Sequence, residues 1–211
     1  MSREKKSEYV NICYRLSLNS LQQRDYNCWV KFIRDTLEIN GFGDVWLNQG
    51  VADIDIFMHC LKDRLKCTFW QDWHGRLENS TRAIFYRSIR QVPQYQSYLE
   101  IVTVKAHRQA LTRLLTSSHA LRVETGRWDR PITPRDRRIC NVCNKTEDEY
   151  HFLIECHIYK SLRKKLLPQN LYIRPSMFKL SEYTCNERQI RGLAKFTYCA
   201  FQLTDSYFEH Q

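Results

Sequence analysis

Glycine and proline are scarce in this chain, 6 and 5 among 211 residues. That scarcity argues against a strand-rich sandwich or barrel, whose many tight turns use both residues. No apolar run approaches the length needed to cross a bilayer, and candidates such as "DIDIFMHC" are soon broken by charge. The opening "MSREKKSEYVNICYRLS" lacks the apolar stretch of a secretory signal. Internal repeats and low-complexity tracts are missing as well. The expectation is an intracellular protein, cytoplasmic or nuclear, without a membrane partner. Catalytic equipment is equally sparse. No activated nucleophile or carboxylate pair stands out, and Asp53 and Asp55 in "ADIDIF" read as polar residues at a helix start. The chain is therefore not expected to be an enzyme.

What is present suits a folded, helical, basic protein. Hydrophobic residues make up 43% and aromatics 13%, enough for one core plus a small satellite module. A net charge of +10 suits a polyanionic partner, although many basic proteins bind none. Nine cysteines, an odd number, speak for free or metal-bound thiols in a reducing compartment.

Apolar spacing predicts helices over most of the length. Ser20 is a candidate cap for a helix to Ile39, closed by Asn40-Gly41, with Leu21, Trp29, Phe32, Ile33 and Leu37 inward. "GFGDVWLNQG" (41–50) reads as a connector. A helix over 53–78 carries Phe57, Leu61, Leu65, Phe69, Trp73 and Leu77 at every fourth position. Further helices are expected after Ser80, over 105–116 and over "YKSLRKKLL" up to Pro168. A linker should then reach Tyr183, and a last helix should run from Asn186 to near Tyr207, with Ile190, Leu193, Ala194, Thr197, Ala200, Phe201 and Leu203 inward. Between them, 117–138 reads as an irregular basic arm in which "ALRVE" is a short strand. The expected organisation is a helical domain over 1–116, the arm plus a metal module over 117–168, and a linker and packing helix over 169–211. The expected fold class is mainly α, with a small zinc-knuckle-like module and a short irregular or β arm.

The most specific signal is Cys140-x2-Cys143-x7-His151-x4-Cys156. Thiolate and imidazole are the ligands of tetrahedral zinc, and a C-x2-C turn aims two sulfurs at one point. Four protein ligands leave no position for a catalytic water, so the ion, one Zn²⁺ per chain, would be structural. On a continuous α-helix His151 and Cys156 would stand about 140° apart. Metal binding therefore requires the helix begun near Asp148 to end before Cys156. The alternative is that these are small core thiols beside an ordinary histidine. His157 is a less favoured substitute ligand, and the other cysteines read as core thiols.

Several separated motifs here resemble the C-terminal zinc-binding segment of reverse transcriptases from non-LTR retrotransposons. They are Leu111-Thr112-Arg113, the run from Ser118 to Arg127 ("SHALRVETGR"), the C-x2-C pair, "EDEYHFLIEC" ending at Cys156, and the helix bearing Tyr159 and Arg163. Upstream, "WVKFIRDTLEINGFGDVWLNQG" and "WHGRLENSTRAIFYRSI" are similar to the linker that precedes it. One departure is His157, where that family usually has proline. The resemblance implies a tail without an engine, since the carboxylates of the polymerase and the endonuclease region have no counterpart here. It also implies RNA or DNA as partner, gripped mainly through phosphate, together with other proteins encoded by the same element. The residues suited to that grip are Arg122, Arg127, Arg130, Arg135, Arg137 and Arg138 in the arm, with Trp128 to stack on a base. Lys160, Arg163, Lys164 and Lys165 extend the set along the next helix. A protein-interaction scaffold and an inert transposon remnant are the alternatives.

Overall fold

The computed structural model describes residues 3–23 and 28–208, and over them the fold is mainly α-helical. The chain divides into two compact units, 1–72 and 73–211. The first contains α1 (Arg3–Gln23), α2 (Trp29–Ile39), α3 (Gly43–Asn48) and most of α4 (Ile54–Asn79). The predicted helix from Ser20 to Ile39 crosses residues 24–27, which lie outside the described residues. Ser20 is not a cap. It lies within α1, and its hydroxyl donates to the Leu16 carbonyl at 3.0 Å. The cap of α2 is Cys28, whose Sγ accepts from the Lys31 N–H at 3.4 Å, a role thiols fill too seldom to be read from sequence.

Asn40 and Gly41 do end α2, with Gly41 at φ +83. The Asn40 amide oxygen then accepts from the Thr68 hydroxyl of α4 at 2.9 Å. Leu37 and Val30 are the buried residues of α2, while Trp29 and Phe32 are exposed. The expected connector forms the short helix α3. On α4, Phe57, Leu61, Trp73 and Leu77 are half-buried, whereas Leu65 and Phe69 are exposed. A strict four-residue repeat explains this. Each step overshoots a full turn by about 40°, so the stripe winds around the helix instead of holding one face.

The second unit holds the main core. Its further helices are α5 (Ile84–Ile89), α6 (Tyr98–Ile101), α7 (Lys105–Leu115), α8 (Arg122–Thr125), α9 (Lys160–Leu166), α10 (Gln169–Ile173), α11 (Met177–Cys185) and α12 (Glu187–Phe208). The helix α12 packs on α6, α7, α9 and α11. Leu111 and Leu114 of α7 meet Ile190, Leu193 and Phe196 of α12 in one cluster with Phe152, Leu153 and Tyr159. Phe152 stacks on Phe201 at 5.1 Å and meets Tyr159 edge-on at 4.9 Å. The last helix starts close to the expected residue, and Asn186 caps it, its side-chain oxygen accepting from the N–H groups of Arg188 and Gln189. Leu203 of the expected inner face is exposed, and Phe196 is fully buried in addition to the residues named from sequence.

Three expectations need correction. The boundaries at 116/117 and 168/169 fall inside the second unit, because α7 and α12 close a common core over residues 151–159. "ALRVE" is the single turn α8, not a strand. Glu147 supplies the partners a neighbouring strand would have offered, its carbonyl accepting from the Val123 N–H and its carboxylate from the Arg122 N–H. The linker after Pro168 contains α10 and α11. The cap of α11 is Ser176, accepting from the Lys179 N–H at 3.2 Å.

Candidate metal centre and basic surface

Residues 138–147 fold back on themselves. The Cys140 N–H donates to the Lys145 carbonyl and the Glu147 N–H to the Arg138 carbonyl, both at 2.8 Å, around an antiparallel bridge between Ile139 and Thr146. The turn closes through Asn144 at φ +52, a left-handed conformation that asparagine tolerates better than most residues. Its N–H donates to the Cys140 carbonyl at 2.9 Å. This small knuckle presents Cys140 and Cys143 on one side.

The second pair of side chains comes from the segment opened by Asp148, whose carboxylate accepts from the His151 N–H at 2.9 Å. Residues His151–Glu155 form a π-helical turn, and Cys156 leaves it in a non-helical conformation with ψ 127. The Cys156 N–H donates to the His151 carbonyl at 2.8 Å, the i→i−5 bond of a π turn. The wider turn stacks Cys156 over His151 and removes the angular separation an α-helix would impose. The required helix end is present, and its device is the π turn. Arg163 tethers the far end by donating to the carbonyls of Phe152, Leu153 and Cys156.

Together these elements place ligand atoms of Cys140, Cys143, His151 and Cys156 within 4.8 Å of one another, and the four could hold a metal ion. The Sγ of Cys156 lies 3.9 Å from that of Cys140 and 3.8 Å from that of Cys143. A disulfide needs about 2.05 Å, whereas a tetrahedral ion with bonds of about 2.3 Å puts its sulfurs about 3.8 Å apart. His151 is buried, and its Nε2 has no hydrogen-bond partner among the described residues. Its Nδ1 faces Glu155 Oε2 at 3.4 Å, and Lys145 holds the same carboxylate at 3.2 Å. A carboxylate behind a metal-binding imidazole fixes the tautomer that frees the other nitrogen.

Burial lowers the pKa of His151, which keeps the imidazole neutral. Burial, followed by the neighbouring thiolates of Cys140 and Cys143, pushes Cys156 up to about 12, and burial raises Cys140 too. Three mutually repelling thiolates in a buried pocket are unfavourable unless a cation offsets them. His157 is exposed and outside the cluster, but its backbone N–H donates to Cys143 Sγ at 3.5 Å. A proline at that position could not make this bond.

The basic residues divide into two sets. Arg138 and Arg163, expected on the outer surface, are buried. Arg138 donates to the carbonyls of Thr133 and Val123, so both guanidiniums tie backbone together inside the fold. Arg127 is engaged with Glu124 and with the Thr81 carbonyl, and Arg122 with Asp129 at 2.7 Å. That contact, led by the Arg122 hydrogen bond, holds Asp129 below the usual carboxylate range. Arg135 lies 3.9 Å from Asp148. Arg130, Arg137, Lys160, Lys164 and Lys165 are exposed, and Trp128 is 72% exposed.

Sequence reasoning missed Glu155 and Glu149. Glu149 accepts from buried Ser117 and faces His119 at 3.1 Å, anchoring the segment that carries His151. Burial opposes the charge on Glu149, but these bonds outweigh it and leave its pKa lowered. The signal for Glu155 was available, since it stands four residues after His151. Among the described residues no helix is long and apolar enough to cross a membrane. Comparison with family models, curated proteins and solved structures found no match.

Proposed function

We propose that this chain is a non-catalytic, zinc-stabilised, nucleic-acid-binding segment, similar in role to the C-terminal part of a retrotransposon reverse transcriptase. The ion is Zn²⁺, because three thiolates and one imidazole in tetrahedral spacing suit it better than oxygen-seeking cations. With all four positions filled by protein it pins the knuckle to the π turn and does no hydrolysis. The observation that supports this reading best is the His151 imidazole, gathered with three cysteines at metal-site spacing and with its buried Nε2 left without a partner among the described residues.

The pinned segment is flanked by Trp128, Arg130 and Arg137 on one side and by Lys160, Lys164 and Lys165 on the other. Contact with RNA template or target DNA runs through these cations to phosphate, with the Trp128 ring available for a base. The test is the salt dependence of binding to a single-stranded RNA 12-mer. Replacing Arg130, Arg137 and Lys160 with Ala lowers the log–log slope by roughly 0.7 per contact removed. An unchanged slope contradicts the assignment.

A second reading, a protein-interaction scaffold, is favoured by the exposed Phe32, Leu47 and Ile54 of the first unit, each about 70–80% accessible. It expects no affinity for RNA or DNA at moderate salt, so the same titration separates the two.

A further inference from the structure

A cleft of about 550 Å³ opens in the second unit between α6, α7 and α12, apart in sequence from the metal knuckle. Its lining includes Arg108, Gln109, Thr112 and Arg113 from α7, and Tyr198 and Phe201 from α12. No carboxylate lines it among the described residues. Two arginines, with no acid beside them among the described lining residues, give this concave site a positive field that low-dielectric walls strengthen.

The arginines are held in place and still have donors to spare. Arg108 donates through Nη1 to the carbonyls of Leu99 and Val102, both at 3.2 Å. Arg113 donates through Nε to the Ser118 carbonyl at 3.1 Å, and its guanidinium lies over the Phe201 ring, 5.7 Å from the centroid. The remaining guanidinium N–H groups, Nε and Nη2 of Arg108 and both Nη of Arg113, have no acceptor among the described residues. A guanidinium fixed in this way costs little further entropy when it grips an anion. Tyr198 is half-buried and packs against His107 at 5.1 Å, which holds its ring at the wall of the cleft.

We propose that this cleft binds a short stretch of a single strand, with its phosphates on Arg108 and Arg113 and a base against Tyr198. The proposal rests on the nucleic-acid reading above and extends it to a contact made by neither the arm nor α9. Forked cations for phosphate beside an aromatic wall for a flat ring are the pairing that nucleotides require. The volume lies within the range of sites that take ligands of that size.

The test titrates the metal-loaded full chain with three probes: a single-stranded RNA 12-mer, AMP and an oligoglutamate peptide. The variant is Gln109→Glu, which keeps the side chain's shape. It also sets a carboxylate one helical turn before Arg113, a spacing α-helices favour. Arg113→Gln is the second variant, and circular dichroism checks the fold of both. The expected result is an affinity for the 12-mer lowered about tenfold in each variant, with AMP bound far more weakly than the 12-mer.

Unchanged 12-mer affinity in both variants overturns the proposal, and so does oligoglutamate binding as tightly as the 12-mer. AMP binding the wild type as tightly as the 12-mer, and lost in Gln109→Glu, keeps the nucleotide chemistry but overturns the strand as its source. Loss in the arm variants alone leaves the arm reading standing and removes the cleft. Loss in the cleft variants alone does the reverse. A wild type that binds none of the probes overturns both.

Discussion

His151 shows how much one side chain is asked to do. Among the described residues its buried Nε2 has no hydrogen-bond partner, while Nδ1 faces Glu155. A polar atom in that position costs free energy unless something absent from the protein completes it. Glu155→Gln keeps the shape and removes the charge behind the imidazole. It is expected to weaken metal affinity about tenfold or more, measured by competition with a chromogenic chelator. The thiols give a second prediction. Cys156, pushed up to about 12, and Cys140, also raised, are protonated in the metal-free protein at neutral pH, so the ion must displace those protons. Loading in weak buffer therefore releases protons, and affinity rises with pH and falls on acidification. His151 adds no proton near neutrality, because burial already lowers its pKa. An indicator dye reads the release, and the absence of any acidification on loading contradicts the ligand set.

The elements that matter most are the π turn and the contact of α12 with α9. At Gly192 an added methyl would sit 2.9 Å from the Leu166 carbonyl, a clash with backbone that no rotamer relieves. Gly192→Ala is expected to cost about 1–3 kcal/mol in a urea unfolding experiment by forcing the two helices apart. Wild-type stability in that variant would show that the approach is not tight. At this scale the sequence was readable wherever local chemistry governs. Asn40-Gly41 closes α2, the last helix starts beside Asn186, and the three- and four-residue spacing on α7 marks its buried face. The ligand spacing was equally legible. It was less legible where a tertiary partner decides. Arg138 and Arg163 look like surface cations in sequence, but backbone carbonyls freed by tight turns need buried donors, and these two supply them. Val123 alternates like a strand residue, but Glu147 takes the bonds a strand would need. The π turn has no sequence signature, and its necessity was visible only as the angle that an α-helix could not satisfy.

Over the whole molecule, the second unit organises one core around α7, α12 and the segment 151–159, with the metal cluster at one edge of that segment. Phe152, Leu153 and Tyr159 of that core stand within a few residues of the candidate ligands His151 and Cys156 in the chain. On the zinc reading proposed above, metal loading and core stability are linked, and the exposed cations on both flanks depend on the same pin. Zinc measured by mass spectrometry on purified protein, wild type against Cys143→Ser, tests this most directly. The account predicts one zinc per wild-type chain and none in the variant. A cooperatively folded wild-type protein without metal, or equal metal in both proteins, would contradict it.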